Sequence, residues 1–288
     1  MKIILVMLNN LQKYIFDNIE HLNNHNNNNI TVITDKKFNT LFENKVIELI
    51  NIEDLIPDYM NVYSNLNNTH RNGFWILTSY RFIAIYQYMK QYNITNIVHI
   101  ENDVLIYKNV DSINFHNTNK LLLTMDSENR CIPGLMFIPT NEILKKCLDL
   151  FNPNLNDMQN FSNCYYNLSE YIDTLPIFIE TNKTDNETNN NITKMITKNF
   201  KHYNYIFDAA AIGQYLGGVD PRNIPGNTKG FVNETCIIDY SKYKFIWKDE
   251  NNQKIPYIII NAIEYSIVNL HIHCKDLKQF SSSLNDLK

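Results

Sequence analysis

The stretch Ile97-Val98-His99-Ile100-Glu101-Asn102-Asp103-Val104-Leu105-Ile106-Tyr107 decides how the rest of the chain is interpreted. A short apolar run leads into Glu101-Asn102-Asp103, and a second apolar run follows it. The first run predicts a buried central strand, and the second is also typical of a strand. Glu101 and Asp103 stand at positions i and i+2, so in an extended segment their side chains point the same way. We therefore expect two carboxylates where a strand of a sheet ends.

Carboxylates at that position need a partner, because burying an unpaired charge is costly. Ligands of doubly wound sheets bind in the crevice outside the carboxyl ends of the strands. A divalent cation is the natural partner there, and oxygen ligands suit Mg²⁺ or Mn²⁺. Taken alone, an acidic triplet is equally compatible with a polar turn between two strands.

Length and composition indicate a folded α/β protein. A chain of 288 residues is one large α/β domain or two small ones, and its 44% hydrophobic and 12% aromatic residues are enough for a substantial core. The net charge of −4 argues against a general nucleic-acid-binding surface. The chain contains no apolar run near the ~18 residues of a membrane span.

The cellular compartment is predicted from the cysteines and the N-terminus. The five cysteines are scattered, odd in number and form no C-x-x-C pair, which suits a reducing compartment and argues against a zinc ribbon or a disulfide scaffold. The apolar core of Met1–Asn10 is too short for a secretory signal and is interpreted as the first strand. We therefore expect a cytoplasmic protein without a membrane span.

The first 50 residues predict the start of a doubly wound sheet. Strands are expected at Lys2–Leu8, Ile30–Thr34 and Val46–Ile50, with a helix at Leu11–Leu22. This β-α-β order places the strand ends toward a nucleotide. Asn9, Asn10 and Asp35 are thus candidates for base or ribose contacts, and ordinary capping of the strand ends is the alternative.

An apolar segment at Gly73–Tyr92 predicts a buried helix that carries one arginine, Arg81. A guanidinium on a buried helix needs an anionic partner. That partner is either a structural carboxylate or a bound anion.

The middle of the chain predicts further strands and helices. Strands are expected at Leu121–Met125, Cys131–Pro139 and Thr174–Ile179, a helix at Asn141–Phe151, a second helix starting at Asn156–Gln159, and a polar loop or insertion at Thr181–Asn191. Asp157, in the first turn of the second helix, either caps that helix or has a functional role. Asp208 opens a segment rich in Ala and Gly, where the backbone can approach another group closely. It is interpreted as a helix cap or as a functional carboxylate.

The C-terminal segment Ser266–Lys275 carries His271, His273 and Lys275 on one face if it is extended. Two imidazoles and an ammonium would repel one another if all were charged. A cation bound by neutral imidazole and a diphosphate paired with lysine would remove that conflict. A hydrolase zinc pair and a plain edge strand are the alternatives.

In this order, the motifs resemble those of glycosyltransferases with the GT-A fold. Glu101-Asn102-Asp103 resembles the family's metal-binding Asp-x-Asp signature, with Glu in place of the first Asp. The helix with Arg81 before the motif looks like the family's arrangement for contacting the nucleotide sugar. Cys131–Pro139, with Gly134, resembles the strand that lines the donor-sugar pocket. His271-x-His273-x-Lys275 looks like the family's C-terminal metal and diphosphate element.

The resemblance implies one GT-A-type domain over residues 1–288, with a Rossmann-like mixed central sheet flanked by helices. Residues 1–107 would form the nucleotide-binding half, and residues 108–288 the acceptor-binding half. The implied activity moves a sugar from a nucleotide-diphosphate donor, most simply a UDP-sugar, to a hydroxyl of a glycan or other acceptor, with Mn²⁺ or Mg²⁺. It also assigns roles to single residues. The metal ligands would be Asp103, Glu101 directly or through water, His271 and His273, and the donor contacts would be Asn9, Asp35, Arg81, Asn102 and Lys275. If the enzyme inverts configuration, the catalytic carboxylate near the acceptor hydroxyl would be Asp208 and then Asp157, whereas a retaining enzyme needs neither as a base.

Within these sets, Asp103 is the favoured carboxylate ligand and His273 is slightly favoured over His271. Two other classes of function stay open. One is a catalytically silent nucleotide-sugar or glycan-binding protein on the same fold. The other is a metal-dependent hydrolase or nucleotidyltransferase, although the Gly-rich basic phosphate loop expected of a nucleotidyltransferase near the first strand is missing.

Overall fold

The computed structural model describes residues 1–57, 74–115, 119–180, 190–220, 222–223 and 229–281. Most of the polar segment predicted at Thr181–Asn191 lies outside the described residues. Among the described residues, no helix combines the length and the apolar character needed to cross a bilayer.

Twelve strands and eight α-helices occur in the described part of the chain. The strands are β1 Lys2–Met7, β2 Ile30–Thr34, β3 Glu48–Asn51, β4 Ile97–Ile100, β5 Val104–Ile106, β6 Leu121–Ser127, β7 Arg130–Ile138, β8 Ile172–Thr174, β9 Lys244–Glu250, β10 Gln253–Ile260, β11 Ile263–Ser266 and β12 Asn269–His271. The helices are Ile15–Asn24, Ile52–Leu55, Phe74–Tyr92, Asn141–Asp149, Asp157–Asn167, Asn190–Thr197, Phe200–Tyr203 and Ala211–Gly217.

A seven-stranded sheet in the order β3-β2-β1-β4-β7-β6-β8 forms the centre of the molecule. Strand β7 runs antiparallel to both of its neighbours, and the other pairings are parallel. Its inner strands are largely apolar and buried because both faces of the sheet are covered, whereas the edge strand β3 begins at an exposed Glu48. In β1, for example, Ile4 belongs to the core on one face, whereas Ile3 and Leu5 belong to the core on the other. The predicted mixed central sheet flanked by helices is confirmed.

A two-stranded antiparallel sheet of β5 and β12 joins the C-terminal segment to the acidic motif. In this pairing His271 lies opposite Val104, directly after Asp103. The backbone N–H of Ile272 also donates to the carbonyl of Asp103 over 2.8 Å. The pairing therefore places the histidine-bearing segment beside the carboxylates.

The C-terminal segment is not extended as far as Lys275, contrary to the prediction. Strand β12 ends at His271, and a turn follows in which the N–H of His273 donates to the carbonyl of His271 over 3.0 Å. The N–H of Lys275 donates to Ile272, and Lys275 has a left-handed backbone with φ of 64°. The alternation of side chains is lost at this turn. The structure differs from the sequence predictions in two other places. Strand β8 lies at Ile172–Thr174 rather than at Thr174–Ile179, and the three-stranded sheet of β9, β10 and β11 was not predicted.

Candidate functional site

Three of the predicted ligands come together at the carboxyl end of β4. Glu101, Asp103 and His271 each offer one ligand atom, and these atoms lie within 4.8 Å of one another. The Nε2 atom of His271 is 3.0 Å from Glu101 Oε2 and 3.3 Å from Asp103 Oδ2. This group, which we call the ligand cluster, unites residues from the two segments on which the sequence interpretation depended.

A tight turn holds the two carboxylates of the ligand cluster. The N–H of Glu101 donates to the carbonyl of Gly134 on β7 over 2.9 Å, and the chain then turns so that the N–H of Val104 donates to the carbonyl of Glu101 over 3.0 Å. The Asn18 amide fastens this turn by donating to the carbonyls of Asn102 and Val104 over 3.0 Å each. The carboxylates converge because of the turn rather than the alternation of an extended strand.

Lys275 completes the charge balance of the ligand cluster. Its ammonium pairs with Asp103 Oδ2, the carboxylate oxygen that also faces His271. The Asp103 side chain is buried, whereas a quarter of the Lys275 side chain, 25%, is exposed. The lysine therefore reaches the ligand cluster from the solvent side. In this position its ammonium is accessible to an anion in solution.

The charges in the ligand cluster shift the pKa values of its members in opposite directions. Burial alone would raise the pKa of Asp103, but Lys275 and His271 hold it well below its usual range. Burial would also raise the pKa of Glu101, but Arg81 and then His271 lower it. Burial would lower the pKa of His271, but Asp103 and Glu101 raise it to about 10. At neutral pH the site thus holds two carboxylates and an imidazolium when only the protein's own groups are considered.

His271 rather than His273 belongs to the ligand cluster, although the sequence slightly favoured His273. The turn after β12 rotates His273 away, and its ring centroid lies 4.8 Å from that of His271. Burial, His271 and Lys275 lower the pKa of His273 to about 3, so this imidazole is neutral. The metal-ligand role of His273 is therefore not supported by the geometry.

Arg81 binds carboxylates of the protein itself. Its Nη1 atom lies 2.5 Å from Glu101 Oε1, and its Nη2 atom donates to Asp157 Oδ2 over 2.9 Å. The arginine is 8% exposed. The helix Phe74–Tyr92 lies behind the ligand cluster and presents the guanidinium from the protein side. The structure thus favours the structural pairing over the predicted contact with a nucleotide sugar.

Asp157 lies in the first turn of the helix Asp157–Asn167, as predicted, but it is not the cap. Asn156 caps the helix, with Gln159 as its partner in a capping box. Burial raises the pKa of Asp157, and its carboxylate holds Arg81. Its predicted role at an acceptor hydroxyl stays a prediction, and its observed contacts are those of a group that positions Arg81.

Asp208 accepts hydrogen bonds from three backbone N–H groups. The donors are Ile212 at 2.8 Å, Gly213 at 2.9 Å and His271 at 2.9 Å. Burial raises the pKa of this carboxyl, and the three hydrogen bonds partly offset the effect. Asp208 thus joins the first turn of the helix Ala211–Gly217 to β12. Its predicted role as a catalytic base stays a prediction. The three hydrogen bonds that it accepts are those of a group that holds the backbone in place.

Asn9 and Asp35 lie together at the carboxyl ends of β1 and β2, where nucleotide contacts were predicted. The N–H of Asn9 donates to Asp35 Oδ2 over 2.6 Å, and Lys37 Nζ donates to the Asn9 carbonyl over 2.8 Å. Asn102, in contrast, turns back toward β1. Its amide donates to the Val6 carbonyl over 2.9 Å and to Gln12 Oε1 over 2.6 Å. The amide nitrogen of Asn102 therefore makes structural hydrogen bonds, and its predicted donor contact stays a prediction.

Two further residues lie at the site. Gly134, which the resemblance placed on the strand lining the donor-sugar pocket, faces the His271 ring, and a Cβ atom built on it would fall 2.9 Å from His271 Nδ1. Tyr14 lies beside the ligand cluster, with Lys275 Nζ 5.6 Å from the centre of its ring. Burial raises the pKa of Tyr14, and the charges of Asp103 and Glu101 add to the effect. As one of 18 tyrosines without a surrounding motif, Tyr14 gave no signal in the sequence.

Comparisons with known proteins concern the fold. No family model and no curated protein matches the sequence. The PaToxG glycosyltransferase is similar to this chain, with 13% identity, coverage of 58% of this chain and 69% of that one, and a TM-score of 0.39. Mouse xyloside xylosyltransferase 1 is 9% identical, with coverage of 68% of this chain and 92% of that one and a TM-score of 0.40. A cytidylyltransferase from Leptospira borgpetersenii is 13% identical, with coverage of 65% of this chain and 79% of that one and a TM-score of 0.38.

Proposed function

We propose that this protein is a glycosyltransferase that uses a nucleotide-diphosphate sugar, most simply a UDP-sugar, and a divalent cation. One observation carries the proposal. Glu101 and Asp103 meet His271 at the carboxyl end of β4, with Lys275 directly beside them. The crevice along that edge is where doubly wound sheets bind their ligands. The motif order that suggested this family in the sequence is thus matched by a convergence in space.

The donor set of the ligand cluster suits a hard divalent cation. Two carboxylates and one imidazole are ligands that Mn²⁺ accepts, and carboxylates with water suit Mg²⁺. When bound, such a cation supplies charge that stabilises the departing diphosphate. His271 must lose its proton to coordinate through Nε2. Coordination through Nε2 would leave the remaining proton on Nδ1, which has no hydrogen-bond partner among the described residues.

The remaining charged residues have distinct roles in this proposal. Lys275 binds the diphosphate, because its ammonium is partly exposed and pairs well with phosphate oxygens. Arg81 holds Glu101 Oε1 and so leaves Glu101 Oε2 facing His271. Asn9 and Asp35 lie farther along the same edge, at the ends of β1 and β2, where they contact the nucleoside.

A thermal-shift panel tests the proposal, because a ligand that binds the folded state raises the unfolding temperature by mass action. The protein is melted with UDP, GDP and CDP sugars, each with Mn²⁺, with Mg²⁺ and with EDTA. We expect stabilisation by one donor class that requires the cation, followed by release of the nucleotide from that donor. Cation-dependent stabilisation without release identifies a silent binding protein instead. No stabilisation by any donor contradicts the proposal.

A further inference from the structure

The imidazole of His271 is confined by Gly134, which lies outside the ligand cluster. A Cβ atom built on Gly134 falls 2.9 Å from His271 Nδ1 and 3.2 Å from Cε1. Carbon atoms in good contact are about 3.5–4.0 Å apart. Gly134 lies within strand β7, where the backbone itself suits other residues, so the restriction comes from the space that the ring occupies.

The backbone of His271 is held as firmly as its ring. Its N–H donates to Asp208 Oδ2 over 2.9 Å, and its residue pairs with Val104 across the small sheet. Its carbonyl lies against Gly213, where a Cβ atom would fall 2.1 Å from the carbonyl oxygen. These contacts restrict the backbone of His271, so rotation of the ring is the main way in which Nε2 can change its position.

We propose that Gly134 is a positioning residue for His271. The missing side chain at position 134 leaves room for the imidazole in the position where Nε2 faces Glu101 and Asp103. An alanine at position 134 displaces the ring but removes no ligand atom. Because the carbonyl of Gly134 also accepts the N–H of Glu101, the test must separate an effect through His271 from an effect through Glu101, and removal of the His271 ring does so. The consequence for cation binding rests on the proposed function, whereas the steric coupling of the two residues does not.

A double-mutant cycle tests this inference with wild type, Gly134→Ala, His271→Ala and the double variant. Two quantities are measured: the affinity for Mn²⁺ alone by calorimetry, and the unfolding temperature in EDTA. We expect Gly134→Ala to weaken Mn²⁺ binding by about 10-fold, as loss of a group that orients a ligand does. The double variant should bind Mn²⁺ no more weakly than His271→Ala. Gly134→Ala should lower the unfolding temperature of the wild type. The same substitution should lower the unfolding temperature of the His271→Ala variant much less, because the ring is absent there.

Gly217→Ala serves as the matched control. Its Cβ atom would fall 3.1 Å from the Phe280 ring and 3.2 Å from Cys274 Sγ, so it is similarly crowded and also lies near the C-terminal turn, but it faces no atom of His271. We expect a lower unfolding temperature and an unchanged Mn²⁺ affinity for this variant. A control that weakens Mn²⁺ binding as much as Gly134→Ala overturns the inference, because general crowding then explains both.

The outcomes separate the inference from the proposed function. Additive losses of unfolding temperature in the cycle overturn the positioning role whatever the metal results are. If the wild type binds no Mn²⁺, the proposed function fails, while a non-additive cycle in EDTA still supports the steric coupling of Gly134 with His271.

Discussion

Lys275 forms an ion pair with Asp103, a residue 172 positions earlier in the chain. The pairing of β5 with β12 makes this contact possible, because it lays the C-terminal segment along the residues that follow the acidic motif. The same carboxylate oxygen faces His271. One oxygen of Asp103 is therefore the point where the acidic motif and the C-terminal segment meet.

Asp103→Asn should abolish cation-dependent turnover and weaken Mn²⁺ binding by about 100-fold, because the amide cannot provide an anionic ligand. The variant should also lose about 3 kcal/mol of unfolding free energy, since Lys275 and His271 lose their buried counter-charge. Calorimetry and urea unfolding measure the two effects. Asp149→Asn, at an exposed helical pair with Lys145, should change neither quantity. Turnover that survives in Asp103→Asn removes this residue from the mechanism.

Lys275→Met should weaken the binding of the sugar nucleotide without weakening the binding of the cation. The KM for the sugar nucleotide should rise about 10-fold, because a charged hydrogen bond to the diphosphate is lost. Binding of Mn²⁺ alone should be unchanged or tighter, because a competing cation leaves Asp103. Steady-state kinetics and calorimetry provide the two numbers. Lys278→Met, three positions later with its side chain 72% exposed, is the control and should behave as the wild type. An unaltered KM in Lys275→Met detaches this lysine from the diphosphate.

Arg81→Met should lower the unfolding free energy by about 3 kcal/mol, because Glu101 and Asp157 are left buried without their cation. Asp157→Asn should also destabilise, and the double variant should be less unstable than the sum by about 1–3 kcal/mol, since the two residues act as a pair. Urea unfolding of the three variants measures the coupling. A stable Arg81→Met protein that has only lost donor affinity would restore the role at the nucleotide sugar first predicted for Arg81.

The stability of the protein should fall from neutral to alkaline pH through His271. Its folded-state pKa of about 10 lies above the ordinary value of 6.5, so the folded protein binds more protons than the unfolded chain between these values. The stabilisation by His271 is complete below pH 6.5 and is lost as the pH rises toward 10. His271→Gln should remove this part of the slope when the two proteins are unfolded in urea across that range. Parallel curves would show that His271 is not charged in the folded protein.

The lowered pKa values of Asp103 and Glu101 act on the acid side. Their stabilisation is present above their ordinary pKa values and is lost as the pH falls toward the folded-state values. Cation binding depends on pH in the direction opposite to the stabilisation of the fold by His271, because the imidazole must lose its proton before it binds a cation. Mn²⁺ affinity should therefore rise with pH, and binding should release protons, which calorimetry in buffers of different ionisation enthalpy detects.

Asp208→Asn separates a positioning carboxylate from a catalytic base. If Asp208 positions His271, the amide loses acceptor capacity for the backbone N–H groups, and Mn²⁺ affinity falls by about 10-fold together with stability. A base would instead lose about 10²–10⁴-fold in kcat with the cation affinity intact. We expect the first result from the three hydrogen bonds that Asp208 accepts. Calorimetry and single-turnover kinetics with the same protein preparation distinguish the two.

Local sequence predicted the elements that depend on burial of neighbouring side chains. The apolar runs that became β1, β2 and β4 were recognised because a strand covered on both faces has apolar side chains on both. The helix carrying Arg81 was recognised for the same reason. The three-stranded sheet of β9, β10 and β11 was missed, because β9 alternates between exposed and half-buried positions and carries charged residues.

The choice among partners could not be predicted, because it depends on contacts between distant segments. Arg81 had to pair with an anion, but only the packing of its helix behind β4 decided that Glu101 and Asp157 would be the partners. The two histidines looked equivalent in an extended segment, and a turn after β12 separated them.

Local sequence was enough to predict a sheet, acidic residues at the end of one of its central strands and positive charge beside them, because these follow from burial and from the cost of unpaired charge. That the sheet is mixed was implied by the resemblance of the motifs to those of the GT-A fold. The tertiary structure alone decided that His271 faces the carboxylates, that Asp208 and Gly134 hold it there, and that Asn102 points back to β1. Those outcomes depend on which segments lie side by side, and the spacing of residues along one segment does not contain that information.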